Sequence, residues 1–330
     1  MLLRSCRGSA FWIEFRITFP YNPGVAELFP DAINASTRLC AVFGHPVKHS
    51  ASPAMQNAGI AALRLNWRYV ACDVDPAKLG AAIEGAKALN FIGLNLTVPH
   101  KLLAVSMVDA LDDSARQWGA VNTIRFEGRD ANGDWRPMAE HTEMPKEVRS
   151  QGFNTDADAI TRALRVELGL EPKSARILLL GAGGAGRTAA LKLASEQAAE
   201  LYLVNRTSAK AEAVAQEIAQ RFPKVRVETG YPKDRVDLVL NATSLGLRVD
   251  DPAPWDEARF SLRQAQAVYD MVYRPAETSL LKTARASGCR VANGLGMLLY
   301  QGAKALEIWS GRTAPEQAMR AALEKNVYGH

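Results

Sequence analysis

The segment Ala175–Glu196, ARILLLGAGGAGRTAALKLASE, constrains this chain more than any other. A short run of branched apolar residues is the pattern of a strand buried on both faces. It passes directly into Gly181, Ala182, Gly183, Gly184, Ala185 and Gly186, and Arg187–Glu196 then has high helix propensity. Strand, GxGxxG and helix in one register form a dinucleotide-binding fingerprint. Gly181 permits the tight turn, Gly183 lets the backbone approach a pyrophosphate, and Gly186 lets the helix pack on the strand. The helix N-terminus then faces the phosphates.

About twenty residues further on, where a carboxylate would take the ribose 2′-hydroxyl of NAD, the chain has Asn205, Arg206 and Thr207. A guanidinium clamps a 2′-phosphate and a hydroxyl adds a donor, so NADP is preferred over NAD, with Lys210 adding positive charge. The strand VDLVLN ends at Asn241, Ala242, Thr243 and Ser244. Ligands sit at that edge of an open α/β sheet, and these four are expected to line the nicotinamide half; the same residue types also cap turns for local reasons. AELYLVN, KVRVE, AVYDMV and CRVAN complete a Rossmann unit.

A second alternating series precedes it. RLCAVFG, from Arg38, leads through HPVKHSASP to the helical AMQNAGIAALRL. WRYVACDV leads to DPAKLGAAIEGAKAL, and FIGLNLTV runs to Val98. Pro99 is placed for the first turn of a helix passing through Lys101 towards Ala110. The stretch Arg125–Phe153, rich in Pro, Gly and charge, reads as an irregular insertion or hairpin, either a flap or a surface excursion. The expected fold is α/β with two domains: a substrate-binding domain on a mostly parallel sheet over 38–154 and 294–330, and a Rossmann domain over 155–293. Residues 1–37 form an N-terminal extension. Its apolar start is broken by Glu14, and Pro20, Pro23, Glu27 and Asp31 break a transit-peptide pattern, so neither targeting signal is assigned.

Composition narrows the function classes. The chain has 330 residues, 48% hydrophobic and 23% charged, with no apolar run of membrane-spanning length. Its net charge of +5 is scattered rather than massed in a stripe, so neither nucleic acid nor membrane is an expected partner. Cys6, Cys40, Cys72 and Cys289 form no CxxC pair, which fits a reducing cytoplasm. His45, His49 and His100 show no ligand spacing, so metal-free chemistry is expected.

Taken together, GHPVKHSASP, NLTVPHK, GAVNT, NTD, GAGGAG, NRT, NATSLG, DMVY and GLGMLLYQ, in this order between about Arg38 and Trp309, resemble the shikimate dehydrogenase family. The resemblance implies an NADP-dependent interconversion of 3-dehydroshikimate and shikimate, a monomer or homodimer, and an active site in the cleft between domains. It places Ser50 and Ser52 on a substrate carboxylate, although read alone they are a helix N-cap and its neighbour. It makes Lys101 the proton-transfer residue with Asp156 as its carboxylate partner. Thr97, Asn122, Tyr273 and Gln301 are implied substrate ligands, and Met271 and Gly294 fall on the cofactor side. Quinate/shikimate dehydrogenases and a non-catalytic metabolite-sensing paralogue are the alternatives. The family commonly has glycine where this chain has Ala157, which is harmless only if the backbone there is helical.

Overall fold

The computed structural model describes residues 33–248 and 250–329. The N-terminal extension up to residue 32, with Cys6, lies outside the described residues, so the reading of that segment has no structural counterpart here.

The first half is built of β1 (Arg38–Gly44), α1 (Ser52–Ala62), β2 (Trp67–Asp73), α2 (Leu79–Ala88), β3 (Gly93–Leu96), β4 (Ala110–Leu111), α3 (Asp113–Trp118), β5 (Thr123–Arg129), β6 (Trp135–Pro137) and β7 (Val148–Phe153). The sheet runs β2-β1-β3-β5-β7-β4, with β6 paired to β5. β1 is parallel to β2 and β3, whereas β5 is antiparallel to β3, β6 and β7.

The second half continues with α4 (Asp156–Leu168), β8 (Arg176–Leu180), α5 (Gly184–Ser195), β9 (Glu200–Val204), α6 (Ser208–Arg221), β10 (Arg226–Thr229), β11 (Val236–Asn241), β12 (Ala265–Asp270), α7 (Ser279–Ala286) and β13 (Arg290–Asn293). The order β10-β9-β8-β11-β12-β13 is parallel throughout. Ile177, Leu178, Leu179 and Leu180 of β8 are all buried, as a central parallel strand covered on both faces requires.

The last helices, α8 (Leu295–Ser310) and α9 (Glu316–Tyr328), return to the first half. Fully buried Trp309 of α8 donates its indole N–H to the Ile124 carbonyl at 2.9 Å, in space that a Cβ on Gly93 would fill. The Gln56 amide of α1 donates to the Gly302 carbonyl at 2.9 Å.

One expectation is corrected. No α-helix follows Pro99: the chain makes turns and a short 3-10 segment, Leu103–Ser106. The Lys101 carbonyl accepts the Val121 N–H at 2.8 Å, so the oxygen that would continue a helix serves a tertiary contact. Of the two readings of 125–153, an irregular insertion or a hairpin, the hairpin holds: β5 and β6 pair antiparallel. β5 and β7 pair along most of their length, and Glu127, 2% exposed on the shared face, is ion-paired to both Arg125 and Arg149. Mutual neutralisation lets a charged segment form a buried sheet face.

Candidate functional site

The cofactor side follows from the fingerprint. Gly181 has φ of +102°, a left-handed conformation that a side chain resists, and its N–H donates to the Val204 carbonyl at 2.7 Å. A Cβ on Gly186 would lie 2.0 Å from the Gly181 carbonyl oxygen, so only glycine lets α5 approach the turn this closely. A Cβ on Gly183 or Gly184 would meet nothing within 4 Å. Here the backbone is bare and open, at the start of a helix with no acidic residue in its first turn. This is a fit for pyrophosphate.

Asn205 secures the next turn. Its side-chain oxygen accepts the Ala182 N–H at 3.0 Å and its amide donates to the Thr207 carbonyl at 2.9 Å, tying the fingerprint to the end of β9. Arg206, Thr207 and Lys210 line a pocket of about 680 Å³ together with Gly181 and Gly183. Neither Arg206 nor Lys210 has an ion-pair partner among the described residues, so both charges are available to an anion.

Ala242, Thr243 and Ser244 line this same pocket. Asn241 turns inward. It is fully buried, donates to an Asp270 carboxylate oxygen at 2.9 Å, and accepts the Thr243 N–H and hydroxyl at 3.0 and 2.8 Å. Asp270 also accepts the Thr278 hydroxyl at 2.6 Å and the Val272 N–H at 3.0 Å. Its burial pushes the carboxyl above its ordinary value, opposed by these hydrogen bonds. Sequence reasoning missed Asp270, whose only signal was its place in DMVY.

A second pocket of about 220 Å³ brings together Ser52, Thr97, Lys101 and Asp156 with Met271, Tyr273, Gly294 and Gln301. The Lys101 ammonium lies 2.7 Å from an Asp156 carboxylate oxygen, across 55 residues of sequence. Asp156 is the first residue of α4, where the helix dipole favours a carboxylate. Ala157 is helical and fully buried in the same turn, so alanine is accommodated there. The Gln301 amide donates to the Leu298 carbonyl at 2.8 Å.

Two expected ligands are not in this lining. Ser50 precedes the N-cap of α1, which is Ala51. Its hydroxyl oxygen accepts the Ser52 N–H at 3.3 Å, which leaves its own proton free to donate. Asn122 is 1% exposed, its amide donating to the Thr155 hydroxyl at 2.9 Å and its oxygen accepting the Thr155 N–H at 2.8 Å. Asn95 and Met297 line the pocket and were missed. Asn95 stands within NLTVPHK, and its oxygen accepts the Tyr69 hydroxyl at 2.8 Å. Lys101 and Asp156 also line a further cavity of about 280 Å³ with Val98, Leu102, Ile160 and Thr188.

Comparisons with known proteins identify the family. Three family models match: the shikimate dehydrogenase substrate binding domain over 42–124, shikimate/quinate 5-dehydrogenase over 165–247, and the shikimate 5′-dehydrogenase C-terminal domain over 294–324. The shikimate dehydrogenase (NADP(+)) of Moorella thermoacetica is 43% identical over 303 residues, covering 89% of this chain and 95% of its own length. That of Methanopyrus kandleri is 37% identical over 303 residues, covering 90% and 98%. A crystal structure of a shikimate dehydrogenase in complex with NADP+ matches with a TM-score of 0.77 at 36% identity, covering 90% of this chain and 98% of that one. At these identities over about nine tenths of its length, this chain belongs to the shikimate dehydrogenase family.

Proposed function

We propose that the chain is an NADP-dependent oxidoreductase interconverting 3-dehydroshikimate and shikimate, a step of aromatic biosynthesis. The observation that carries this is the 2.7 Å Lys101–Asp156 pair, set in one pocket with residues of both halves. We take 38–154 with 294–330 as the substrate domain and 155–293 as the cofactor domain, with the pocket at their junction.

When bound, NADPH would supply the hydride that reduces the ketone, and NADP+ would accept it in the reverse direction. Reduction leaves an alkoxide, and the Lys101 ammonium donates the proton that quenches it. Asp156 holds the ammonium in place and accepts a substrate hydroxyl. Ser50 and Ser52 donate to the substrate carboxylate, and Thr97, Tyr273 and Gln301 take ring hydroxyls. Asn122 acts behind them, fixing Thr155 and so the start of α4. Gly181–Gly186 and Met271 with Gly294 hold the dinucleotide, and Arg206, Thr207 and Lys210 select its 2′-phosphate.

No described helix is long and apolar enough to cross a membrane. Cys40, Cys72 and Cys289 are free thiols, and a reducing cytoplasm is the compartment we assign. The test is formation of the reduced cofactor, NADPH or NADH, from shikimate and, separately, quinate, each with NADP+ and NAD+. Shikimate with NADP+ is the expected best pair, and no reduction with any pair sinks the proposal.

A further inference from the structure

The pocket that holds Arg206 has a second wall with no part in the assignments above. Tyr231 follows β10, and Pro254, Asp256 and Arg259 come from the connection between β11 and β12. This wall is built rather than loose. The Tyr231 hydroxyl accepts the Asp256 N–H at 2.8 Å, and its ring stacks with Phe260, which is 1% exposed, at a centroid distance of 6.5 Å. The Arg259 guanidinium carbon lies 5.1 Å from the centroid of the same Tyr231 ring. Arg259 has no ion-pair partner among the described residues.

We propose that Arg259, seated on Tyr231, is a specificity-determining residue that contacts the adenosine 2′-phosphate from this second wall and so favours NADP over NAD. It rests on the reading of NADP as cofactor. The pocket presents three cations, Arg206, Lys210 and Arg259, against one carboxylate, Asp256, and a phosphate monoester dianion is the ligand group that such a balance suits. An Asp256 carboxylate oxygen accepts the Ala258 N–H at 3.0 Å, which engages part of its charge within its own turn. Seating on the ring restricts the guanidinium before a ligand arrives, so less rotamer freedom is lost on binding than for a free surface arginine.

Titration calorimetry of the full chain with adenosine 2′,5′-bisphosphate and with 5′-AMP separates the phosphate from the rest of the nucleoside. Arg259→Gln is expected to weaken the bisphosphate about 5- to 10-fold, the scale of one solvent-exposed charge-assisted contact, and to leave AMP within about twofold. Arg259→Lys is expected to recover part of the loss. Asp256→Asn is expected to tighten the bisphosphate. Unchanged AMP binding certifies that the variants fold. Equal losses for the two probes, or none for either, overturn the assignment of Arg259. If the unaltered chain itself shows no preference for the bisphosphate over AMP, the NADP reading falls, and this inference falls with it.

Discussion

Two glycines of one motif should fail in opposite ways when each becomes alanine. At Gly186 the new Cβ would stand 2.0 Å from the Gly181 carbonyl oxygen and 2.8 Å from its carbon, and real contacts essentially never fall below 3.0 Å. The gap must therefore open by at least about 1 Å, the difference between 3.0 and 2.0 Å. The obstacle is backbone, and α5 behind it is packed through Ala189, Ala190 and Leu193, all fully buried, so neither side yields freely. Overpacking of this kind costs about 2–3 kcal/mol, which for a chain of this size lowers Tm by roughly 3–4 °C. At Gly183 the backbone is extended, with φ of −75° and ψ of −172°, and an added Cβ meets nothing within 4 Å. Gly183→Ala should leave stability unchanged or raise it by about 0.4–1 kcal/mol through the unfolded chain, while its methyl group stands where the pyrophosphate must approach. Thermal melts with and without NADP+, with calorimetric Kd values, decide the matter. The expected result is a low Tm for Gly186→Ala, and for Gly183→Ala a normal Tm that NADP+ no longer raises. A Gly183 variant that melts early, or that binds NADP+ as the unaltered chain does, would refute the reasoning.

Lys101→Ala should lower kcat by roughly a hundred- to ten-thousand-fold while NADP+ binding, followed by calorimetry, stays within about threefold. Substantial remaining turnover would remove Lys101 from proton transfer. Arg206→Asp should raise KM for NADP while sparing NAD, and equal effects on the two cofactors would contradict its assignment. Ala157→Gly should destabilise by about 1 kcal/mol through helix propensity alone, more once the lost buried methyl is counted, as read from urea midpoints; a stabilised variant would mean that the backbone there is not helical in solution. His100 is fully buried, and burial holds its pKa below the ordinary value against the opposing pull of the Val74 backbone and of Asp73 and Asp75. The unfolded chain therefore takes up this proton near pH 6.5 and the native chain only at lower pH, so its contribution to stability is present above that value and lost as pH falls. Replacement by Leu should flatten the stability profile between about pH 7.5 and 5.5. An unchanged slope would show that His100 protonates freely.

The cofactor half was legible because its signals are local. The apolar run of β8, the glycines after it and the helix-forming residues beyond occupy one unbroken stretch, and Gly181 and Gly186 each have a steric reason that neighbouring atoms supply. The missing acid at the end of β9 could likewise be read directly as Asn205, Arg206 and Thr207. The substrate half depends on contacts that no window of sequence contains. Lys101 meets Asp156 across 55 positions, and the turn that carries Lys101 is non-helical because Val121 claims its carbonyl. β5 carries an apolar face in Ile124 and Phe126, both fully buried, but its other face is made of charges, Arg125 and Glu127 with Arg149 of β7, that neutralise one another only after the strands pair. The inward turn of Asn122 towards Thr155, and of Asn241 towards Asp270, was likewise settled by burial. An asparagine in a motif states its donors and acceptors, and only the packed chain decides whether a ligand or its own backbone uses them. Sequence alone thus determined that this chain binds a dinucleotide and prefers the phosphorylated one. Tertiary structure decided which polar residues reach the cleft, because reaching it is a property of distance and burial between segments far apart along the chain.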